Sequence, residues 1–281
     1  MIYNRNLYTI LLILLFVLIS LPIHAKEYKN INIVDGNGME NDETWGPGAN
    51  NEYKKINEIS NKCFKGVVPA YKNSADLFID KLIQLKYDST KDDLTIITLN
   101  GHGQTEEDAI KLLEYQSPVP KRETQKAIKN SKEYRSKNGY KIKDHYIALS
   151  DGTQLSAYDF LDNMEKIKGQ KIILITSCYS GRYLKIFAEQ IRKGRMKNFL
   201  IMTTSSEDYM SRCIFDQQNL GYAFFDNIKC ECNMNIKKIV DKIKNDAHIY
   251  QNAEGLEIGP NYYNPQYLDT FKSNDYIIDQ K

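Results

Sequence analysis

The sequence predicts an α/β protein built on a mainly parallel sheet, and three observations predict it. Short, β-prone apolar runs alternate along the chain with stretches of helical period. Two of those runs are Leu94 to Leu99, continuous as a strand buried on both faces is, and Ile172 to Thr176. The residues with the most chemistry to offer follow directly on those same two runs.

The chain has 281 residues, 42% hydrophobic and 26% charged, proportions of a globular protein rather than a disordered one. Its start stands apart. Arg5, an apolar run from Leu7 to Leu21, then Pro22-Ile23-His24-Ala25 and charged Lys26-Glu27 have the layout of a secretory signal cut after Ala25. The run is shorter than the roughly 20 apolar residues of a membrane span, so no stable span is expected after cleavage. Residues 1–25 are therefore expected to be removed. Residues 26–281 are expected to form one domain, secreted or periplasmic, with one sizeable core.

Along that domain, Ile31 to Val34 predicts a first strand, ending in the turn-rich Asp35-Gly36-Asn37-Gly38. Ser74 to Leu85 predicts a helix with Leu77, Phe78, Leu82, Ile83 and Leu85 as its apolar positions and Asn73 or Ser74 as N-cap. After the strand from Leu94 comes a long polar stretch, 104–144, containing Pro118 and Pro120. Tyr146 to Leu149 is expected to resume the sheet. Ser156 to Ile167 predicts a helix, with Phe160, Leu161, Met164 and Ile167 on one face. A strand from Lys171 to Thr176, a helix from Tyr183 to Ile191, a strand from Phe199 to Thr203 and a helix from Ile236 to Ile249 complete the pattern. No internal repeat or second domain is visible.

The net charge of +2 gives the whole molecule no nucleic-acid footprint. A local basic excess lies between Lys121 and Lys143, through Arg122, Lys126, Lys129, Lys132, Arg135, Lys137 and Lys141. Outside the reducing cytosol thiols tend to pair. Cys63, Cys213, Cys230 and Cys232 allow two disulfides, in a pairing the sequence leaves open, with Cys178 as the odd thiol. Cys230 and Cys232 have too few histidines nearby to complete a metal site.

The runs from Leu94 and from Ile172 end in Asn100-Gly101-His102-Gly103 and in Ser177-Cys178-Tyr179-Ser180-Gly181. Ligands bind beyond the carboxyl ends of strands in open parallel sheets, so neighbouring strands here would face His102 and Cys178 into one cleft. A thiol with a pKa of about 8.5 is only a few per cent ionised at neutral pH, yet its thiolate is very nucleophilic. A nearby imidazole that takes its proton and returns it to the leaving amine is worth about 10²–10⁴-fold. Backbone N–H groups at Gly103 and Cys178 are candidate donors to the oxyanion. The other histidines of the mature chain, His145 just before a strand and His248 late in the last helix, lack that position. No Gly-x-Ser-x-Gly elbow or P-loop spacing competes.

A strand running into His-Gly, then a later strand running into Ser-Cys-Tyr-Ser-Gly, resembles the caspase-like superfamily of caspases, metacaspases, gingipains and legumains. Asp151-Gly152-Thr153-Gln154-Leu155, leading into a helix, is similar to that superfamily's approach to the cysteine strand. Ile33 to Gly38 followed by Asn41, and Thr203 to Asp208 followed by Cys213 and Asp216, are most similar to the legumains, the asparaginyl endopeptidases. The likeness covers most of Ile31 to Asn227. It implies a three-layer α/β/α sandwich and a cysteine peptidase acting on peptide or protein substrates, with Cys178 forming the acyl-enzyme and His102 as acid/base. It implies no metal or other cofactor. It also implies that Asn41 orients the histidine and that Glu43, Thr176, Ser205, Ser206 and Tyr222 border the substrate.

Legumains, however, carry arginine where Glu43 stands, glutamate where Thr176 stands and an acid where Tyr222 stands, so their asparagine preference does not carry over. The interval from His102 to Cys178 is longer than in most relatives. The excess, 104–144, reads either as a flap or processing loop beside the cleft or as a solvated, partly helical insertion. Two other functions use the same framework: a transpeptidase with the same dyad, and a catalytically silent binding module.

Overall fold

The two buried runs form the centre of one sheet. In the computed structural model, which describes residues 28–37, 46–62, 70–72, 74–114, 121–149, 151–207, 219–228, 234–253, 266–270 and 277–278, strands β1 (Ile31–Asn37), β2 (Ala70–Lys72), β3 (Leu94–Asn100), β7 (Gln170–Thr176), β8 (Phe199–Thr203) and β10 (Gln266–Asp269) align in the order β10-β8-β7-β3-β1-β2. Only β10 runs antiparallel to its neighbour. Every residue of β3 and β7 is buried. The expected signal segment, the cysteines Cys63, Cys213, Cys230 and Cys232, and Asn41 and Glu43 lie outside the described residues. No described helix is long and apolar enough to cross a membrane.

Alternation along the strands sorts the apolar side chains into two cores, because successive strand residues point to opposite faces. Val34, Ile97, Leu99, Ile173, Ile175 and Ile201 join one core with Phe78, Leu82, Phe160, Leu161 and Phe187. These last come from helices α2 (Ala75–Asp88), α5 (Ala157–Glu165) and α6 (Gly181–Arg192). Ile33, Ile96, Ile172, Leu174 and Leu200 join the other, with Ile56, Ile59, Phe224, Phe225, Ile239 and Val240. Those come from α1 (Gly46–Lys62), α7 (Leu220–Asp226) and α8 (Ile236–Ala253). Helices thus cover both faces of the sheet. One helix start matches its sequence signal, with Ser74 accepting from Leu77 N at 3.2 Å, and Ser156 caps another by accepting from Asp159 N at 3.3 Å, satisfying otherwise orphan N–H groups.

The run around Tyr146 does not resume the main sheet. It forms β5 (His145–Ala148), sandwiched antiparallel between β4 (His102–Thr105) and β6 (Gln154–Ser156) in a separate three-stranded sheet. A short buried run carries no label for the sheet it joins, and here the chain leaves the parallel sheet at Gly101 and turns back on itself. Ile147 of β5 packs into the first core, whereas Tyr146 faces Ala109 and Ile128 on the other side.

Those two residues belong to α3 (Glu106–Glu114) and α4 (Lys121–Asn138), so 104–144 contains two helices. They are tied down by polar contacts more than by apolar burial. Arg135 pairs with Glu106, whose carboxylate also accepts from Asp144 N at 3.2 Å. Tyr134, Tyr140 and Tyr158 group together, with Tyr140 and Tyr158 stacked at 5.3 Å. Arg195, after α6, bonds Tyr134 Oη at 3.1 Å and pairs with Asp162 and Glu165. Asp144, fully buried and pushed up to about 6 by that burial, accepts from His145 N at 2.8 Å and Ala157 N at 3.1 Å, which joins β5 to the start of α5.

A helix held at so many points resists proteases, which need an extended substrate strand. Limited trypsin digestion of the native protein is expected to leave the bonds after Lys126, Lys129 and Lys132 intact while more exposed connections are cut. Mass spectrometry of the fragments checks this, and early cleavage inside 121–138 would show the helix to be loosely held.

Candidate active site

The parallel register sets the geometry. β3 and β7 pair residue for residue, from Leu94 with Gln170 to Asn100 with Thr176. Both strands end at the same level, and His102 and Cys178 each lie two residues beyond the last pair. Gly101 N still donates to Thr176 O at 3.1 Å, which holds the two exits side by side before the chains diverge.

Contact continues one residue further. A Cβ placed on Gly103 would lie 2.0 Å from the Cys178 carbonyl oxygen and 3.0 Å from Cys178 N. Only glycine allows the backbone of the histidine strand to rest on the backbone of the cysteine turn. Cys178 is present as a half-buried thiol and His102 is exposed. The two segments identified from sequence therefore meet at one edge of the sheet.

The turn that carries the sulfur is braced from below. Tyr179, directly after Cys178, has φ +56°, a left-handed conformation that costs a non-glycine residue about 1–3 kcal/mol and persists only where the surroundings impose it. A set of buried hydroxyls imposes it here. Ser177 N donates to Thr204 Oγ1 at 3.3 Å, Ser180 N to Ser205 Oγ at 3.1 Å, and Ser205 Oγ to Ser177 O at 3.1 Å. Ser205 N returns a bond to Ser180 Oγ at 3.1 Å. Burial raises the Tyr179 phenol above its usual value, helped by the nearby Asp108 carboxylate. Asp108 lies in the first turn of α3, where its carboxylate accepts from Thr105 Oγ1 at 2.7 Å. The helical segment after β4 thus comes close to the cysteine turn.

The residues expected to border the substrate divide. Ser205 is fully buried and its hydroxyl is engaged by Ser177 and Ser180, so it supports the turn instead of lining a groove. Thr176 is also buried: it shares the face of Leu174 and accepts from Leu220 N at 3.0 Å. Its placement follows from strand alternation, which points position 176 under the sheet rather than into the cleft. Ser206 is half-buried with its Oγ inside the protein. Tyr222 is half-buried on α7, close enough to Lys55 of α1 to act on its charge. Asn41 and Glu43 lie outside the described residues.

His145 is not on a basic approach to a strand. It opens β5, is fully buried, and meets the ring of Tyr183 edge-on at 5.3 Å. Burial, then the Arg182 guanidinium, push it down to about 3, so its ring is neutral at ordinary pH. It pairs with Thr105, at the far end of β4 from His102. Among the described imidazole side chains, only His102 is exposed. Sequence reasoning missed Asp108 as part of this edge and gave Thr204 and Ser180 no bracing role. Serine and threonine in a loop carry no signal of which backbone they will hold. Among the described residues no group of three histidine, cysteine, aspartate or glutamate side chains has the arrangement of a metal site.

Gly103→Ala tests the backbone contact. Relieving a clash of this kind costs about 1–3 kcal/mol, so alkylation of Cys178 by iodoacetamide is expected to change by about ten- to a hundredfold relative to the parent at equal pH. An unchanged rate together with unchanged stability would show that the two segments are not held as closely as described.

Comparison with known proteins bears on the architecture. No protein-family model matches the chain, and no curated protein matches it. Among solved structures, it is similar to caspase-1 from Spodoptera frugiperda, with a TM-score of 0.54 at 10% identity over 92% of each chain. It is also similar to the Drosophila initiator caspase Dronc, with a TM-score of 0.50 at 10% identity over 91% of this chain and 84% of that one. With strands, layers and these likenesses in agreement, the protein has a caspase-like α/β sandwich fold.

Proposed function

We propose that this chain is a cysteine peptidase that cleaves peptide bonds through an acyl-enzyme on Cys178, with His102 as its acid/base. The observation that carries this reading is the seating of the Gly103 backbone on that of Cys178. It sets a thiol and an exposed imidazole at adjoining exits of two registered strands, beyond the carboxyl edge where parallel sheets bind ligands.

The reaction follows from those groups. His102 takes the thiol proton, and the sulfur attacks the carbonyl carbon of the scissile bond. The oxyanion forms beside the backbone N–H groups proposed as its donors, those of Gly103 and Cys178. The imidazolium then protonates the departing amine, leaving a thioester. Water, giving its proton to His102, hydrolyses the thioester and frees Cys178. An amine in place of water gives transpeptidation from the same intermediate, and that is the second use open to the dyad.

Within the superfamily we favour the legumain branch on the sequence of Ile33 to Gly38 and Thr203 to Asp208. We do not extend it to cleavage after asparagine, because Glu43, Thr176 and Tyr222 replace the residues legumains use there. The apolar N-terminal segment supports export to the periplasm or the exterior.

Incubation of the mature protein with a diverse peptide mixture is expected to yield defined cleavage products. Cys178→Ala is expected to abolish them, and His102→Ala to slow them by about 10²–10⁴-fold. An electrophilic peptide probe should label the parent on Cys178 alone. Equal labelling of Cys178→Ala would remove that residue from the mechanism.

A further inference from the structure

The face of the sheet turned towards α1 and α7 changes character at the catalytic edge. Deeper in, Ile33, Ile96 and Leu174 pack against apolar helix residues. At the edge the same alternation presents Asp35, Thr98, Asn100 and Thr176, all 5% exposed or less. α1 meets them with Glu52, fully buried and in the same inward row as Ile56 and Ile59. The cap of α7 supplies Asn219.

These groups are joined. Thr98 Oγ1 donates to Asp35 Oδ1 at 2.8 Å, and Asn219 Nδ2 donates to Glu52 Oε2 at 2.5 Å. Asn219 Oδ1 accepts from Gly221 N at 2.9 Å, and Thr176 Oγ1 from Leu220 N at 3.0 Å. A Cβ on Gly221 would fall 1.7 Å from Glu52 Oε1, so α7 reaches the carboxyl only because that position is glycine. Asn100 lies two residues before His102, and Thr176 two before Cys178.

We infer that buried Asp35 and Glu52, with Thr98, Thr176 and Asn219, form a polar brace that fixes the spacing of the two strand ends leading to His102 and Cys178, which makes Glu52 a positioning residue for the site. Two ionised carboxylates cannot share so dry a position at acceptable cost. Burial first, then the charge of Asp35, hold Glu52 well above the usual carboxylate range, against the opposing pull of Asn219, Thr98 and Asn100. Glu52 therefore holds its proton to higher pH than an ordinary carboxyl. The facing groups from β3, β7 and the α7 cap, namely Thr98, Asn100, Thr176 and Asn219, are uncharged. Lys55, one turn along α1, is engaged by Asp226 and Glu58.

The sign of the pH effect follows. A carboxyl whose folded value is raised contributes stability that is complete below its unfolded value and is lost as pH rises through the folded one. Raising the pH through that folded value should thus loosen the edge. In Glu52→Gln the side chain keeps its length, still accepts from Asn219, and has a donor that cannot ionise.

The test uses the whole chain and compares parent with Glu52→Gln from pH 5 to 9, following the melting temperature and the rate of Cys178 alkylation by iodoacetamide. The rate ratio of variant to parent cancels the ordinary ionisation of the thiol. The expected result is a flatter melting profile for the variant and a ratio that changes by about threefold or more as the pH rises. A ratio and a melting difference that stay constant across the range would overturn the brace. Should Glu52→Gln not fold, Asp35→Asn replaces it: losing that charge is expected to move the pH transition of the melting profile to lower pH, and no movement overturns the inference. The positioning role rests on the peptidase reading, whereas both readouts work without turnover. Absence of peptide cleavage with a pH-dependent ratio would count against the peptidase and leave the brace standing.

Discussion

The one-to-one register between β3 and β7 is the constraint on which the active edge depends. Side chains alternate along a strand, so a slip of one residue would send Ile97 and Leu99 into the core built for Ile96 and turn Asn100 to the wrong face. The same slip would bring the histidine and cysteine segments off the sheet at different heights. Apolar burial on both faces forbids it. Hydrophobic packing deep in the sheet thereby determines a distance at its rim, through two strands in which every residue is buried.

The rim itself is built on different terms. Below the cysteine turn, buried hydroxyls of Ser177, Ser180, Thr204 and Ser205 satisfy one another and the local backbone. Behind both strand ends, Asp35 and Glu52 sit with Thr98 and Asn219. Polar groups of this kind stabilise less per contact than methyl groups do, but they specify geometry, because each donor has one acceptor to find. The chain accepts a left-handed Tyr179 in the middle of this frame. A turn so constrained points the thiol in one direction rather than several.

The parts of the fold legible in the sequence were those made by apolar pattern. β3, β7, β8, α2, α5 and α6 all declare themselves through runs or stripes of leucine, isoleucine and phenylalanine, and the His-Gly and Ser-Cys-Tyr-Ser-Gly segments follow on the first two. The parts that stayed hidden are polar on the inside. Among the described side chains, α1 buries Glu52 and Ser60 beside Ile56 and Ile59, and α4 buries Thr124 and Ser131 beside Ile128, with Arg135 largely covered. Neither shows the stripe that marks a helix against a core. Thr176 and Ser205 are buried for a related reason. A short hydroxylic side chain beside a cleft serves the scaffold as readily as a ligand, and only the strand's alternation and the partners in the fold decide between them.

His102 lies in the small antiparallel sheet, whereas Cys178 lies in the turn that leaves the parallel one. The sulfur follows directly on a central strand of the parallel sheet, whereas the imidazole rides on β4, which is bonded only to β5 within the small antiparallel sheet. Gly101 is the joint between them. That smaller sheet carries α3 and α4 on its outer side, through Tyr146, Ala109 and Ile128. A load applied to those outer helices would therefore reach the ring through the small sheet, and the cysteine turn only through the backbone contact at Gly103, so pressure on the outside of the fold can alter how the imidazole sits against the thiol.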